Sequence, residues 1–441
     1  MKIRIKIIFL ILLFILLNLI EITAIENNEK YTTELNSDST LEDYIQYALL
    51  NNSYIKRDFY RWNASIEKTS RDKGLPDPTF TYGYFIREIE TRLGPQKQFF
   101  GLSQKVPWFG KLRLKGELAD EYANSQFQRY NKSKLDLIYK FKKNYFEYYF
   151  LDKSLGILNE NIKLLNFSEQ VVQSKFKSGS AVFDVLKIQI EKRKIEENLN
   201  TIKDKKKSVI ANLNMYLNRD IETFIEAPQN IPEEIIDLTE IEIFDLIEIS
   251  NPVILSLKHD IQKSKFNLEL AKKDAFPDFV FGINYFDIDK SIMEVEDSGK
   301  DAVSATFMVN LPIWYKKYRG SQREALNSYK SSIYEMEEKI IAIKTELKDS
   351  FIRYKKGLRN FFLYRNDLIK KAEQWLKIAE AAYQTGTLDV IDYIDSQKNL
   401  LEFQLTAERS LTDIAIEIAK IEMLAGSELA KKQLTYETME D

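Results

Sequence analysis

The side chains with the most chemical potential in this chain are carboxylates. Asp389, Asp392 and Asp395 recur at intervals of three, and Asp184 holds the matching place roughly 200 residues earlier. That spacing puts carboxylates on one face of a helix. Gathered about a passage, such a face favours cations and repels anions. The same residues in the first turn of a helix also suit its macrodipole, by a few tenths to about 1 kcal/mol each. The two roles are compatible, and the sequence leaves both open.

Catalytic chemistry has little else to work with. The chain has no cysteine, which excludes disulfides, thiolate nucleophiles, cysteine metal sites and lipidation of an N-terminal cysteine. Its single histidine, His259, falls in a lysine-rich helical stretch and reads as an ordinary surface residue. Gly110-Lys111 hints at a phosphate loop, but Lys105 stands where the first glycine belongs and Leu112 where Ser or Thr belongs. There is no paired-carboxylate motif. No catalytic, cofactor or metal site is assigned, and the chain is expected not to be an enzyme. A net charge of −3 gives no reason to expect nucleic acid as a partner.

The elements that must position the acidic residues are long helices. Only 14 glycines and 9 prolines punctuate 441 residues, while 30% are charged. Leu151, Leu155, Leu158, Ile162, Leu165, Val172 and Phe176 step by fours and threes, with Glu169 as the one interruption. Ile188, Ile195, Ile202, Val209 and Tyr216 repeat at sevens. These are coiled-coil seams. In the second half one seam runs Ile333, Met336, Ile340, Ile343, Leu347, Tyr354, Phe361, Tyr364, Leu368, Trp375 and Ile378, and its partner runs Tyr393, Leu400, Ala407, Ile414 and Ile421. A helix from about Arg113 to Phe176 would be ~95 Å long, which no compact domain needs. Gly179 and Gly386 read as left-handed turn residues between antiparallel helices.

The N-terminus points to export. Lys2, Arg4 and Lys6 precede an apolar run from Ile7 to Ile20, about 14 residues and too short to span a bilayer comfortably. Residues 1–24 therefore read as a signal peptide ending at Ala24, with an uncleaved anchor as the alternative. No other stretch approaches about 18 consecutive apolar residues, so any membrane crossing by the mature chain must use β-strands.

The remainder reads as a duplication. Asn51-Asn52-Ser53 matches Ser250-Asn251-Pro252, Pro76-Asp77 matches Pro277-Asp278, and Val106-Pro107-Trp108 matches Leu311-Pro312-Ile313-Trp314. Phe176-x-x-Gly179 before Asp184 and Gln189 matches Tyr383-x-x-Gly386 before Asp392 and Gln397. The first repeat covers 25–218, with a hairpin at 79–106 and a helical pair at 113–217. A linker, 219–239, carries Pro228 and Pro232. The second repeat covers 240–425, with a hairpin at 278–311 and a helical pair at 315–425. The tail, 426–441, is polar and unpatterned.

Four segments alternate with period two. Phe80, Tyr82, Tyr84 and Ile86 share a face, as do Phe100 and Leu102, then Phe279, Phe281, Ile283 and Tyr285, then Ala305, Phe307, Val309 and Leu311. The opposite faces are mostly small or polar, the pattern of a membrane barrel, although soluble sandwiches alternate too. Four strands cannot close a barrel, and an open edge in lipid costs several kcal/mol per unpaired backbone group. A membrane-spanning chain would have to borrow strands from copies of itself. The connections, Arg87 to Gln98 and Asp287 to Ala302, are long and charged, as expected of outer loops. Pro107 and Pro312 end the ladders, and Trp108 and Trp314 lie where an aromatic girdle would meet the inner interface.

Over essentially the whole mature chain, this pattern resembles the TolC-like outer-membrane efflux protein family. The most specific local match, Leu102-Ser103-Gln104-Lys105-Val106-Pro107-Trp108-Phe109-Gly110-Lys111, looks like the strand-to-helix entry of branches serving metal-ion and drug efflux pumps. The resemblance implies a mainly α fold with a β-barrel portion. In it, a homotrimer builds a twelve-stranded barrel in outer-membrane lipid and an α-barrel tunnel across the periplasm. The tunnel would dock on an inner-membrane transporter through a periplasmic adaptor, serving efflux or type I secretion as a passive duct without cofactors. By position, Asp392 and Asp395, with Asp389 beside them, resemble an acidic pore ring. Tyr383 and Asp184 resemble members of the bonds that hold the tip shut. Leu388 stands where some members carry a locking arginine, so that salt bridge is absent. An exported coiled-coil scaffold or adhesin, with the strands as a soluble sandwich, is the competing expectation.

Overall fold

A computed structural model describes residues 35–434 except 37, 177–181 and 293–294. The segment read as a signal peptide, the turn glycine Gly179 and residues 435–441 lie outside the described residues. Each half repeats one order of elements. Two short helices, α1 (Leu41–Asn51) and α2 (Ser53–Lys73), lead into strands β1 (Thr79–Ile89) and β2 (Gln96–Val106), then α3 (Lys111–Phe176) and α4 (Val182–Leu217). The second half runs α5 (Glu240–Ser250), α6 (Pro252–Lys273), β4 (Phe279–Ile288), β5 (Ala302–Val309), α7 (Tyr315–Leu363), α8 (Ile369–Thr385) and α9 (Val390–Ala425). Two three-residue strands, β3 (Glu234–Ile236) and β6 (Lys431–Gln433), pair with each other.

The same local chemistry starts both halves. Thr40 and Asp43 form a capping box on α1, and Thr239 and Glu242 form one on α5. Asn52 and Asn251 then cap α2 and α6, each accepting from two backbone N–H groups. Each asparagine also donates across the fold, Asn52 to the Tyr216 carbonyl (2.8 Å) and Asn251 to the Leu424 carbonyl (2.7 Å). Both acceptors lie near the end of a long helix. One buried side chain thus fixes two helix ends at once in each half.

The long helices bury the seams their periodicity marks. Leu151, Leu158, Leu165 and Val172 of α3 pack with Ile188, Ile195 and Ile202 of α4. All five seam residues of α9, Tyr393 to Ile421, are buried. The α7–α8 seam departs from expectation beyond Phe361. Trp375 and Ile378 are 44% and 69% exposed, and Ala372, Ala379 and Tyr383 are buried instead. The cause is a π-helical turn at Tyr364–Leu368. One added residue rotates the following helix by about 100° and brings a different stripe inward.

The stretch 219–239 and the tail also differ from expectation. β3 and β6 join them, Tyr354 Oη accepts from the Ile236 N–H (3.0 Å), and Ile225, Ile231, Leu429 and Leu434 are buried. A few β-branched and leucine residues among polar ones suffice to clip these segments onto the bundle, too few to register as a pattern.

The main sheet has the order β1-β2-β4-β5, antiparallel throughout, so β2 and β4 join the halves. The loops are shorter than the charge pattern suggests, residues 90–95 and 289–301, because the ladder continues through polar residues. Gly299 N–H bonds the Leu93 carbonyl (2.8 Å) and Asp289 N–H the Pro95 carbonyl (2.9 Å), which ties the two loops together. At the other end, β5 stops at Val309, three residues before Pro312. There Asn310 Oδ1 accepts from the Asp278 N–H. Among the described residues no helix is long and apolar enough to cross a membrane.

Candidate functional site

Two regions carry the sequence-marked residues: the sheet with its junction to the helices, and the far end of the helical hairpins.

One face of the sheet is apolar and uncovered in the protomer. Phe80, Tyr82, Tyr84 and Ile86 of β1 are 53–94% exposed, and Leu102, Phe281, Ile283 and Phe307 continue the face. Their rings pack at a tilt across strands, as Tyr82 does on Phe100 and Phe281 on Phe307. The other face is lined by Thr81, Gly101, Asn284 and Ser304 in one cross-strand row and Thr79, Ser103, Gly282 and Thr306 in the next. Where the strands meet the helices, Phe109, Leu311, Ile313, Trp314 and Tyr315 form an exposed belt. Trp314 belongs to that belt, whereas Trp108 stacks on Phe276 (5.2 Å between ring centres). Pro107 directly follows the last residue of β2.

The junction is held by a charge pair. Lys111 is almost fully buried, and its Nζ donates to Asp278 Oδ1 (2.8 Å) and to the Phe276 carbonyl (3.0 Å). The Trp108 N–H bonds the same Asp278 oxygen (3.0 Å), and Lys105 reaches the other (3.2 Å). Burial alone would raise the Asp278 carboxyl, but these donors together hold it below its ordinary value. Lys111 and Asp278 thus lock the first repeat to the second. Gly110-Lys111 is conspicuous in the sequence, yet nothing there names a partner 167 residues away. His259 is less ordinary than its surroundings suggested. Its Nδ1 lies 2.7 Å from Glu121 and couples α6 to α3.

At the far end, α8 closes on Gly386, which adopts φ 78°. The Thr387 N–H bonds the Ala382 carbonyl (3.0 Å), and Asp389 then caps α9 by accepting from the Ile391 N–H (3.4 Å). Asp392 and Asp395 follow on the exposed side of α9, with Lys398 4.0 Å from Asp395 and 3.2 Å from Glu191. Tyr383 is buried and stacks on Tyr393 (5.5 Å, 7° between planes). Behind it a polar network, whose partners the sequence pattern did not connect, crosses the core. Tyr393 Oη shares a bond with Ser168 Oγ (3.1 Å), which accepts from Gln397 Nε2 (2.8 Å). Glu169, the interruption in the α3 seam, accepts from Gln189 of α4 (2.8 Å) and so ties α3 to α4.

Asp184, Asp389 and Tyr383 lie close enough for their charges to act on one another. Burial raises the Asp184 carboxyl, the Asp389 charge raises it further, and Lys187 partly opposes both. The folded value therefore lies above the ordinary 3.8, so ionised Asp184 opposes the folded tip at neutral pH, and the penalty is absent well below 3.8. Asp184→Asn is expected to increase amide-exchange protection over residues 183–190 at neutral pH. The gain should vanish as the pH falls below the ordinary carboxylate range. An equal gain at both pH values would place the effect in packing instead.

No protein-family model and no curated relative matches the sequence. Solved structures do. The outer-membrane channel OprN superposes with a TM-score of 0.75 at 15% identity, over 90% of this chain and 93% of that one. The outer membrane protein VceC of Vibrio cholerae gives 0.74 at 14%, over 88% and 96%. The Campylobacter jejuni CmeC outer membrane channel gives 0.71 at 15%, over 94% and 93%. This chain has the fold of those outer-membrane channels. The likeness extends over nearly the full length of each partner, so the sheet and both helical hairpins take part in it.

Proposed function

We propose that this chain is one protomer of an outer-membrane exit duct, a passive channel and not an enzyme. Three copies close a twelve-stranded barrel in outer-membrane lipid, and their α3, α4, α7, α8 and α9 helices continue as a tunnel through the periplasm. A periplasmic adaptor and an inner-membrane transporter supply cargo and energy, the cargo being small molecules, metal ions or a secreted protein.

One observation carries this reading. The four-stranded sheet exposes an apolar face, and among the described residues β1 pairs only with β2 and β5 only with β4. Exposed aromatic residues in alternation suit hydrocarbon, but two open edges do not, since each unpaired backbone group costs several kcal/mol there. Pairing β5 of one copy with β1 of the next removes every edge. The Phe109–Trp314–Tyr315 belt then falls at the lipid–water boundary, where amphipathic rings are favoured.

The test is to purify the mature chain and read its mass by native mass spectrometry in detergent, then its conductance in planar bilayers. A detergent-requiring trimer that forms discrete channels supports the duct. A chain that is monomeric and soluble in plain buffer, with no channels, would overturn it and leave an exported helical scaffold.

A further inference from the structure

On the polar face of the sheet, the rows nearest the loops carry phenylalanine. Phe99 lies between Gly83 and Phe286 in register, and Phe286 lies beside Ala302. The ring of Phe99 is 5.7 Å from that of Phe286 and 6.1 Å from that of Phe85. It covers Gly83, where any added Cβ would sit 2.0 Å from a ring carbon, and by register and alternation all three rings belong to the face opposite Tyr82 and Tyr84. The next two rows along that face are threonine, serine, glycine and asparagine. All three rings remain part-exposed. They sit at the loop end of the strands, just beneath the interlocked segments 90–95 and 289–301.

We propose that Phe85, Phe99 and Phe286 form an apolar collar inside the barrel near its outer mouth, which narrows the duct and binds planar apolar solutes in transit. The proposal rests on the trimeric duct described above. In that assembly nine phenylalanines, three from each copy, encircle the lumen over two adjacent rows, next to two rows of small polar side chains. Strands about 4.8 Å apart and tilted about 40° set a twelve-stranded barrel roughly 24 Å across between backbones. Rings projecting from all sides take a large share of that width. An apolar ring surface holds water poorly and resists ions, yet offers stacking partners to aromatic solutes. The cover over Gly83 fixes the Phe99 ring in place, so the collar is preformed.

Single-channel recording separates the possibilities. The wild-type channel is compared with Phe99→Ala plus Phe286→Ala, using tetraphenylphosphonium as the planar-ring probe and tetraethylammonium as a cation of equal charge without rings. The double variant is expected to conduct about 1.5-fold more or better, and to lose at least threefold in block by tetraphenylphosphonium, with tetraethylammonium unaffected. If the alanine variant fails to assemble, Phe99→Leu plus Phe286→Leu keeps the cover over Gly83 and should still lose the tetraphenylphosphonium block. Channels that form normally with conductance and block unchanged in the variant tested would overturn the collar alone. A wild-type chain that forms no channels overturns the duct, and the collar with it.

Discussion

Asp278→Ala is expected to destabilise the junction between sheet and helices by about 3–5 kcal/mol, the range for removing one partner of a buried ion pair. The substitution leaves Lys111, which is 6% exposed, with a backbone carbonyl and only a distant carboxylate, Asp274 at 3.8 Å. It also strips the Trp108 N–H of its acceptor. The measurement is the temperature at which the detergent-solubilised protein loses its folded mobility on gels. A drop of several degrees is expected for Asp278→Ala, and a smaller one for Asp278→Asn, which keeps an acceptor. Lys111→Met combined with Asp278→Leu should recover much of the loss, because removing both charges removes the unpaired one. If Asp278→Ala melts like the wild type, the pair is an incidental contact and the two repeats are held by the β2–β4 pairing and by the contacts between their helices.

That pair marks the boundary of what was legible in the sequence. Periodicity located the seams of α3, α4 and α9, because a heptad repeat and a buried stripe are one physical fact read in two ways. Alternation likewise gave the apolar face of the sheet. Phase and partner were harder. Nothing in the sequence of Tyr364–Leu368 announces a π-helical turn, and that turn carries the buried stripe away from Trp375. The Ser168–Tyr393–Gln397 network joins residues more than 200 positions apart, and a serine in a helix sequence looks the same whether it faces solvent or core. Phe99 illustrates a third kind of blindness. Its place against Gly83 depends on a cross-strand register that only pairing reveals. The likeness to solved channels was expected from a family resemblance, most specific over Leu102–Lys111, and it holds in the fold at 13–15% identity, whereas the strand count alone points only to assembly from several copies.

The tip carboxylates give the second large effect. Removing Asp392 and Asp395 together is expected to raise single-channel conductance and to weaken block by a trivalent cation about tenfold or more, equivalent to ~1.4 kcal/mol. In the proposed trimer these positions contribute six carboxylates around one axis, and fixed charges of one sign at a narrow passage attract counter-ions strongly enough to hold a multivalent cation there. The geometry within one protomer is compatible. Both side chains lie on the exposed side of α9, opposite buried Tyr393, Ile394 and Gln397, and Lys398 approaches Asp395 while sharing itself with Glu191. Asp389 supplies the control. It caps α9, so Asp389→Ala should cost about 1 kcal/mol of local stability while leaving multivalent block near the wild-type level. The comparison separates the two roles that the sequence left open for the acidic run: Asp389 caps the helix, and the block by multivalent cations tests Asp392 with Asp395 as a ring. Equal block in the wild type and the Asp392→Ala plus Asp395→Ala variant would take the pair out of the passage. Their place in the first turns of α9 would then reflect only the preference of a helix start for negative charge.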